Sequence, residues 1–69
     1  MRKATIERSV HDFLLIKDGR TVVELRQLLE DRHQSTSFSE LGDVLSEINH
    51  RFHCNGDPSA PLTVVTFVS

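Results

Sequence analysis

Hydrophobic side chains recur along this chain at the spacing of an amphipathic α-helix in three separate segments. In the first segment, residues 5–17, the apolar positions are Ile6, Val10, Phe13 and Leu14. These positions form one stripe on a helix of about 3.6 residues per turn, which predicts a helix with one buried face. Gly19 marks its end, because glycine takes the left-handed backbone conformation that closes a helix without a steric penalty.

Two capping boxes mark the beginnings of the second and third helices. They are Thr21 with Glu24 and Ser37 with Glu40. In this pattern the hydroxyl accepts a hydrogen bond from the backbone N–H three residues later, and the glutamate bonds back to the N–H of the first residue. The pattern predicts helices over residues 22–32 and 38–52, with a short turn at residues 33–36 between them. The apolar stripes are Val22, Leu25, Leu28 and Leu29 in the second helix and Phe38, Leu41, Leu45, Ile48 and Phe52 in the third.

The C-terminal segment has the composition of a loop followed by a β-strand. Residues 55–61 are dense in turn formers, and residues 62–68 are rich in β-branched and aromatic side chains. Alternation puts Leu62, Val64 and Val68 on one face and Val65 and Phe67 on the other, so we expect both faces to be covered. A lone strand cannot satisfy its backbone hydrogen bonds. Its partner is expected to be residues 20–22, residues 52–54 or a second copy of the chain.

The length of 69 residues allows one domain whose core contributes little net stability. The amphipathic stripes have to be buried together in that core. The side chains expected there are Phe13, Leu25, Leu29, Leu41, Leu45, Ile48 and Phe52. Because so small a core leaves a small free energy of unfolding, we expect a symmetric homodimer that forms through the C-terminal strand or the first helix.

Cysteine content and hydropathy indicate the cellular compartment in which the protein is expected. Cys54 is the single cysteine, so no intrachain disulfide can form, which fits a reducing environment. The longest apolar run near the N-terminus is residues 13–16, too short for a signal-peptide core or a membrane span. We therefore expect a cytoplasmic protein with no membrane partner.

The formal net charge of −2 conceals an uneven distribution. Residues 1–35 carry seven of the eight Lys and Arg residues and six of the ten Asp and Glu residues. Residues 36–69 carry Arg51 alone against four acidic residues. Any contact with nucleic-acid phosphates is therefore expected from the N-terminal half.

Two stretches carry a resemblance to a known family. The segment DGRTVVEL at residues 18–25 resembles the beginning of the second helix in winged-helix proteins. Residues 37–52 followed by residues 55–67 resemble the recognition helix and wing hairpin of response-regulator effector domains, within the winged helix-turn-helix superfamily. The resemblance covers about fifty residues and implies an α+β, mostly helical fold. That fold is a three-helix winged-helix-like domain with a C-terminal β-strand or hairpin, and residues 1–69 form it as one domain.

The resemblance also implies a DNA-binding surface, because in this family the third helix enters the major groove. Arginine and lysine side chains would then contact phosphates, while polar side chains near the third helix would face the groove. The residues expected at the phosphates are Arg2, Lys3, Arg8, Arg20, Arg26 and Arg32, and those expected toward the groove are Ser39, Asn49 and His50.

The third helix departs from this family pattern in its charge. Glu40, Asp43 and Glu47 follow one another at spacings of three and four, so they share the face opposite the apolar stripe. Arg51 lies four residues after Glu47 and is expected to be its salt-bridge partner. These four residues are either a solvated face that keeps the domain soluble or a protein-binding surface for a basic partner.

No catalytic or metal-binding pattern emerges from the remaining polar residues. His50, His53 and Cys54 are close in sequence, but a zinc site needs three or four ligands and the helix is expected to end there. Cys54 fits a buried small hydrophobic residue better than a nucleophile. Ser9, His11 and Asp12 are too close in sequence to form a catalytic triad. We expect no enzyme and no cofactor.

Two functions therefore remain. The leading hypothesis is a DNA-binding transcription regulator of winged-helix type, which fold prevalence favours. The alternative is a protein-binding regulator or inhibitor, of the kind that phages and mobile elements encode, which uses a helix-turn-helix-like frame to grip a partner protein. The acidic third helix and the negative charge favour this alternative.

Overall fold

The computed structural model describes residues 2–68, which form three helices and a three-stranded antiparallel sheet. The helices are α1 (Arg2–Ile16), α2 (Val22–Asp31) and α3 (Phe38–Glu47). The strands are β1 (Arg20–Thr21), β2 (Phe52–Cys54) and β3 (Val64–Phe67). The predicted α+β, mostly helical fold is confirmed.

Hydroxyl groups cap the second and third helices as their sequences predict. Thr21 Oγ1 accepts from the Glu24 N–H at 3.3 Å, and Ser37 Oγ accepts from the Glu40 N–H at 3.1 Å. The second half of the Thr21 capping box does not form among the described residues, because the Glu24 carboxylate pairs with the Arg20 guanidinium. The predicted beginnings of α2 and α3 are nevertheless confirmed.

Two residues with positive φ close the first two helices. Gly19 has φ of 74° and turns the chain from α1 into β1. His33 has φ of 61° beyond the C-terminus of α2. There the His33 N–H donates to the Glu30 carbonyl and the Gln34 N–H donates to the Leu29 carbonyl. This pair of bonds satisfies two carbonyls at the end of α2 and redirects the chain toward α3.

The third helix is shorter than its apolar stripe indicates. It ends at Glu47, and Ile48 has φ of −109° and ψ of 37°, outside the helical region. The Phe52 N–H still donates to the Ile48 carbonyl at 3.2 Å, so the turn over residues 48–51 keeps the helical spacing of four. Phe52 is therefore buried as expected, but from strand β2. The prediction that α3 reaches Phe52 is wrong, because spacing alone does not distinguish this turn from a helix.

β3 is the central strand, with β1 on one side and β2 on the other. Arg20 of β1 and Cys54 of β2 both lie opposite Val65. Both of the segments expected as partners within the chain therefore pair with β3. Val65 is buried, but Leu62 and Val68 are exposed, so the prediction that both faces of this segment are covered is wrong.

The core lies where the three helices meet the inner face of the sheet. Of the side chains expected there, all except Ile48 are buried, and Ile48 packs against the core half-buried. Ile6, Val10, Leu14, Val22, Val44 and Val65 complete the core. None of the helices within residues 2–68 combines the length and the apolar composition needed to span a membrane.

The loop between β2 and β3 folds back onto α3. A Cβ atom at Gly42 of α3 would lie 2.8 Å from Ser59 Cβ and 3.0 Å from Ser59 Cα and N. The loop is tied to itself by Asp57, whose carbonyl accepts from the Thr63 hydroxyl at 2.6 Å and from the Ala60 N–H at 3.0 Å. Glycine at position 42 therefore allows the loop backbone to contact the helix directly.

Leu45→Ala should lower the free energy of unfolding by about 2–5 kcal/mol, because it leaves a cavity in a close-packed core. Leu45 is 1% exposed. Leu62→Ala is the matched control: its side chain is 82% exposed, and the change should stay within about 0.5 kcal/mol. Urea denaturation of both variants measures the difference, and equal stability of the two would show that Leu45 is not a core residue.

Gly42→Ala should displace the loop and destabilise the domain, although alanine gains about 1 kcal/mol in helix propensity. The new Cβ overlaps the Ser59 backbone, which cannot rotate away as a flexible side chain could. Amide NMR shifts over residues 57–60 and the thermal midpoint report the effect. The control, Gln27→Ala on the exposed side of α2, should leave the loop shifts unchanged and the midpoint close to that of the wild type. A stabilised Gly42→Ala variant with unchanged loop shifts would contradict the close contact.

Candidate interaction surface

The solvent-facing side of α3 is acidic. Its buried side carries Leu41, Val44 and Leu45, which fixes the rotation of the helix. On the opposite side Asp43 and Glu47 are exposed. We call Glu40, Asp43 and Glu47 the acidic face; Glu40 is half-buried at one edge of it. Within α3 this face carries no lysine or arginine.

One cation from another element reaches the acidic face. Lys3 Nζ of α1 contacts Glu47 Oε1 at 2.6 Å. The pKa of Lys3 is raised above its ordinary value by this hydrogen bond and by the negative charges of Glu47 and Asp43. Both side chains of the pair are more than half exposed, so the contact is solvent-screened and contributes little to stability. Lys3 was expected at a phosphate, and here it partly neutralises the acidic face.

Arg20, Arg26 and Arg32, which were expected at phosphates, are engaged within the fold. Arg20 pairs with Glu24 and donates from Nε to the Phe13 carbonyl at 3.1 Å, with its side chain 11% exposed. Arg26 Nε donates to the Thr36 carbonyl at 2.9 Å, and its Cζ lies 4.8 Å from the centroid of the Phe38 ring. The two contacts of Arg26 hold the turn between α2 and α3 in place.

Arg32, which directly follows α2, also makes contacts within the fold. Its Cζ lies 4.5 Å from the centroid of the Phe13 ring, and its Nη1 lies 3.7 Å from Asp12 Oδ2 on α1. The guanidinium thus lies over the Phe13 ring while its charge is close to the Asp12 carboxylate. Moving it onto a phosphate would give up both contacts.

The other candidate DNA contacts are dispersed. Arg8 is exposed on α1 and forms no ion pair with any residue that the structure describes. The side chain of Arg2 lies outside the described part of the chain. Ser39 is exposed on α3, as the prediction requires. Asn49 and His50 are exposed in the turn after α3, so the expectation that they extend the helix surface is wrong.

Arg51 has a different partner from the one its sequence spacing suggests. Its Nη1 lies 3.5 Å from Glu7 Oε2 on α1. Glu47, the expected partner four residues earlier, is instead paired with Lys3. The helix ends between Glu47 and Arg51, so the two side chains are not neighbours on a helical surface. Arg51 is therefore removed from the acidic face.

A groove lies between α3 and the loop over residues 55–61. It has a volume of about 400 Å³, and its lining residues are Phe38, Ser39, Gly42, Asp43, Ser46, Asp57, Pro58 and Ser59. Asp57 Oδ1 accepts from the Ser59 N–H at 2.9 Å and from the Ser59 hydroxyl at 2.7 Å. These hydrogen bonds lower the pKa of Asp57 below its ordinary value.

One residue of the sequence, Gly42, indicates this groove. Gly42 adjoins the apolar stripe of α3, where a core-facing helix ordinarily carries a side chain. A glycine inside a helix usually marks a close approach of another segment, and here that segment is Ser59 of the loop.

The residues considered for chemistry are separated or already in use. His53 and Cys54 are neighbours on β2, so their side chains leave opposite faces of the strand. Burial raises the pKa of the half-buried Cys54 thiol. The Ser9 hydroxyl donates to Gln34 Oε1 at 2.8 Å, and Asp12 faces Arg32. Among residues 2–68, no group of three or more His, Cys, Asp or Glu side chains is placed to hold a metal ion.

Comparisons with protein-family profiles, with curated proteins and with solved structures find no match to this chain.

Proposed function

We propose that this chain is a non-enzymatic, protein-binding regulatory module that presents the acidic face of α3 to a basic partner protein. One observation carries the proposal: the helix that would contact DNA in a winged-helix arrangement exposes carboxylates and no cation of its own. In a major groove, the carboxylates of this face would be repelled by the phosphates on both sides of the groove.

The arrangement of the arginines supports the same proposal. DNA binding needs cations that can leave their resting contacts and neutralise phosphates. Arg20, Arg26 and Arg32 instead bridge elements of the fold through carbonyls, aromatic rings and acids. Releasing them would cost packing as well as hydrogen bonds, so they are poor candidates for exchangeable phosphate contacts.

A second candidate is the DNA-binding transcription regulator. It is favoured by the order of elements, in which α3 is followed by the β2–β3 hairpin as a recognition helix is followed by a wing. In its support, Arg8 is unpaired among the described residues, and Ser39 is exposed on α3. Two features weigh against it: the hairpin loop lies against α3 and does not extend from it, and the adjacent helix face is negative.

Neutralising the acidic face separates the two candidates, because its effect has opposite signs. The variant combines Glu40→Gln, Asp43→Asn and Glu47→Gln. If the protein binds a basic partner, the variant should no longer capture a protein that the wild type captures from nuclease-treated native lysate. If it binds DNA, removal of the negative charges should tighten retention of duplex DNA and change the slope of log affinity against log salt.

We expect loss of protein capture, and no duplex retained by the wild type at moderate salt. The control variant combines Glu30→Gln and Asp31→Asn, which removes two charges from the exposed end of α2, and it should capture the protein normally. Thermal melting verifies that both variants fold, since the lost Lys3–Glu47 pair is exposed to solvent and contributes little to stability. Duplex binding by the wild type that strengthens in the triple variant would overturn the proposal and establish the DNA-binding candidate.

A further inference from the structure

We propose that the groove between α3 and the loop over residues 55–61 receives an arginine side chain of the partner protein. The inference rests on the proposed function and names what that surface binds. The groove has a volume of about 400 Å³, at the lower end of the range of about 300–1,000 Å³ typical of ligand clefts. Its walls come from two elements, so the groove exists only in the folded chain.

Each wall contributes one aspartate. Asp43 comes from α3, and Asp57 comes from the loop. No hydrogen bond or salt bridge joins the Asp43 carboxylate to another side chain that the structure describes, although the charge of Lys3 lies near it. The described hydrogen bonds to the Asp57 side chain all end on Oδ1, which leaves Oδ2 able to accept. The groove therefore offers two carboxylates with unused acceptor capacity.

The remaining lining suits the stem of a long cationic side chain. Phe38, Gly42 and Pro58 supply apolar surface, and Ser39, Ser46 and Ser59 supply hydroxyl groups. An arginine places its methylene groups on apolar surface while its planar guanidinium offers five donors to several acceptors at once. A lysine ammonium is a compact point charge and cannot address two separated carboxylates in this way.

The groove is formed before any partner binds. The Gly42–Ser59 approach fixes the loop against α3, and the hydrogen bonds from Ser59 and Thr63 hold Asp57 in its position. At the end of the loop, the Val23 N–H donates to the Pro61 carbonyl at 3.0 Å, which ties the loop to α2. A preformed site spares the cost of ordering a loop on binding, which favours recognition of a single side chain.

The test is an NMR titration of the ¹⁵N-labelled full chain with short Gly-Ser peptides that carry one central arginine, lysine or citrulline. Citrulline has the shape of arginine without its charge. The arginine peptide should shift the amides of Gly42, Asp43, Ser46 and residues 57–59. The lysine peptide should bind more weakly, and the citrulline peptide should leave these amides unchanged.

Asp43→Asn and Asp57→Asn should each lower the affinity for the arginine peptide by about threefold, which is the effect of losing one partly exposed ion pair. Asparagine at position 57 keeps an oxygen that can accept from Ser59, so the loop should remain in place. The control with Glu30→Gln and Asp31→Asn should bind as the wild type does. Shifts outside the groove, equal binding of the lysine or citrulline peptide, or unchanged affinity in both aspartate variants would overturn the inference.

Asp57→Asn also distinguishes this inference from the proposed function, because Asp57 is not part of the acidic face. If the lysate partner is lost in the triple α3 variant but retained by Asp57→Asn, and the arginine peptide does not enter the groove, the proposed function stands and the inference fails. If the wild type retains duplex DNA and its groove amides do not respond to the arginine peptide, both fail.

Discussion

The rest of the structure depends on the backbone hydrogen bonding of β3. This strand joins β1, which follows α1, to β2, which follows α3, and so connects parts of the chain that are far apart in sequence. The Val22 N–H at the beginning of α2 also donates to the Thr63 carbonyl just before β3. Because Val65 is fully buried, this pairing places the sheet under all three helices and closes the core.

The path of the chain into β3 also builds the interaction surface. The loop that precedes the strand has to return from β2 to the beginning of α2, and on the way it crosses α3 at Gly42. The crossing packs the loop against Gly42 and leaves Asp43 of the acidic face open beside it. The groove with Asp43 and Asp57 is therefore a consequence of how the sheet is closed. A feature of the surface thus depends on hydrogen bonds in the sheet.

In this small domain the fold uses arginines that binding to nucleic-acid phosphates would also need. A chain of 69 residues has few aromatic side chains and little core, and Arg26 and Arg32 extend that core by lying over Phe38 and Phe13. Their charges are then directed at carbonyls and acids of the fold. These two arginines of the basic N-terminal half are therefore engaged in packing, whereas Arg8 and Lys17 are exposed. What remains exposed and concentrated is the negative charge of α3.

The amino-acid sequence predicts the beginnings of α2 and α3 and the left-handed glycine after α1, because each is set by contacts within a few residues, such as a hydroxyl and the N–H three positions later. It also predicts the strand near the C-terminus, from its β-branched and aromatic residues, whereas the pairing of that strand depends on distant segments. The end of α3, the acid that Arg51 contacts and the groove shared by Asp43 and Asp57 become visible only in the folded chain, because they depend on how α1, the loop and α3 pack together. Hydrophobic spacing does not distinguish a helix from a turn that conserves its i to i+4 bond, and charge spacing predicts a pair only while the helix continues.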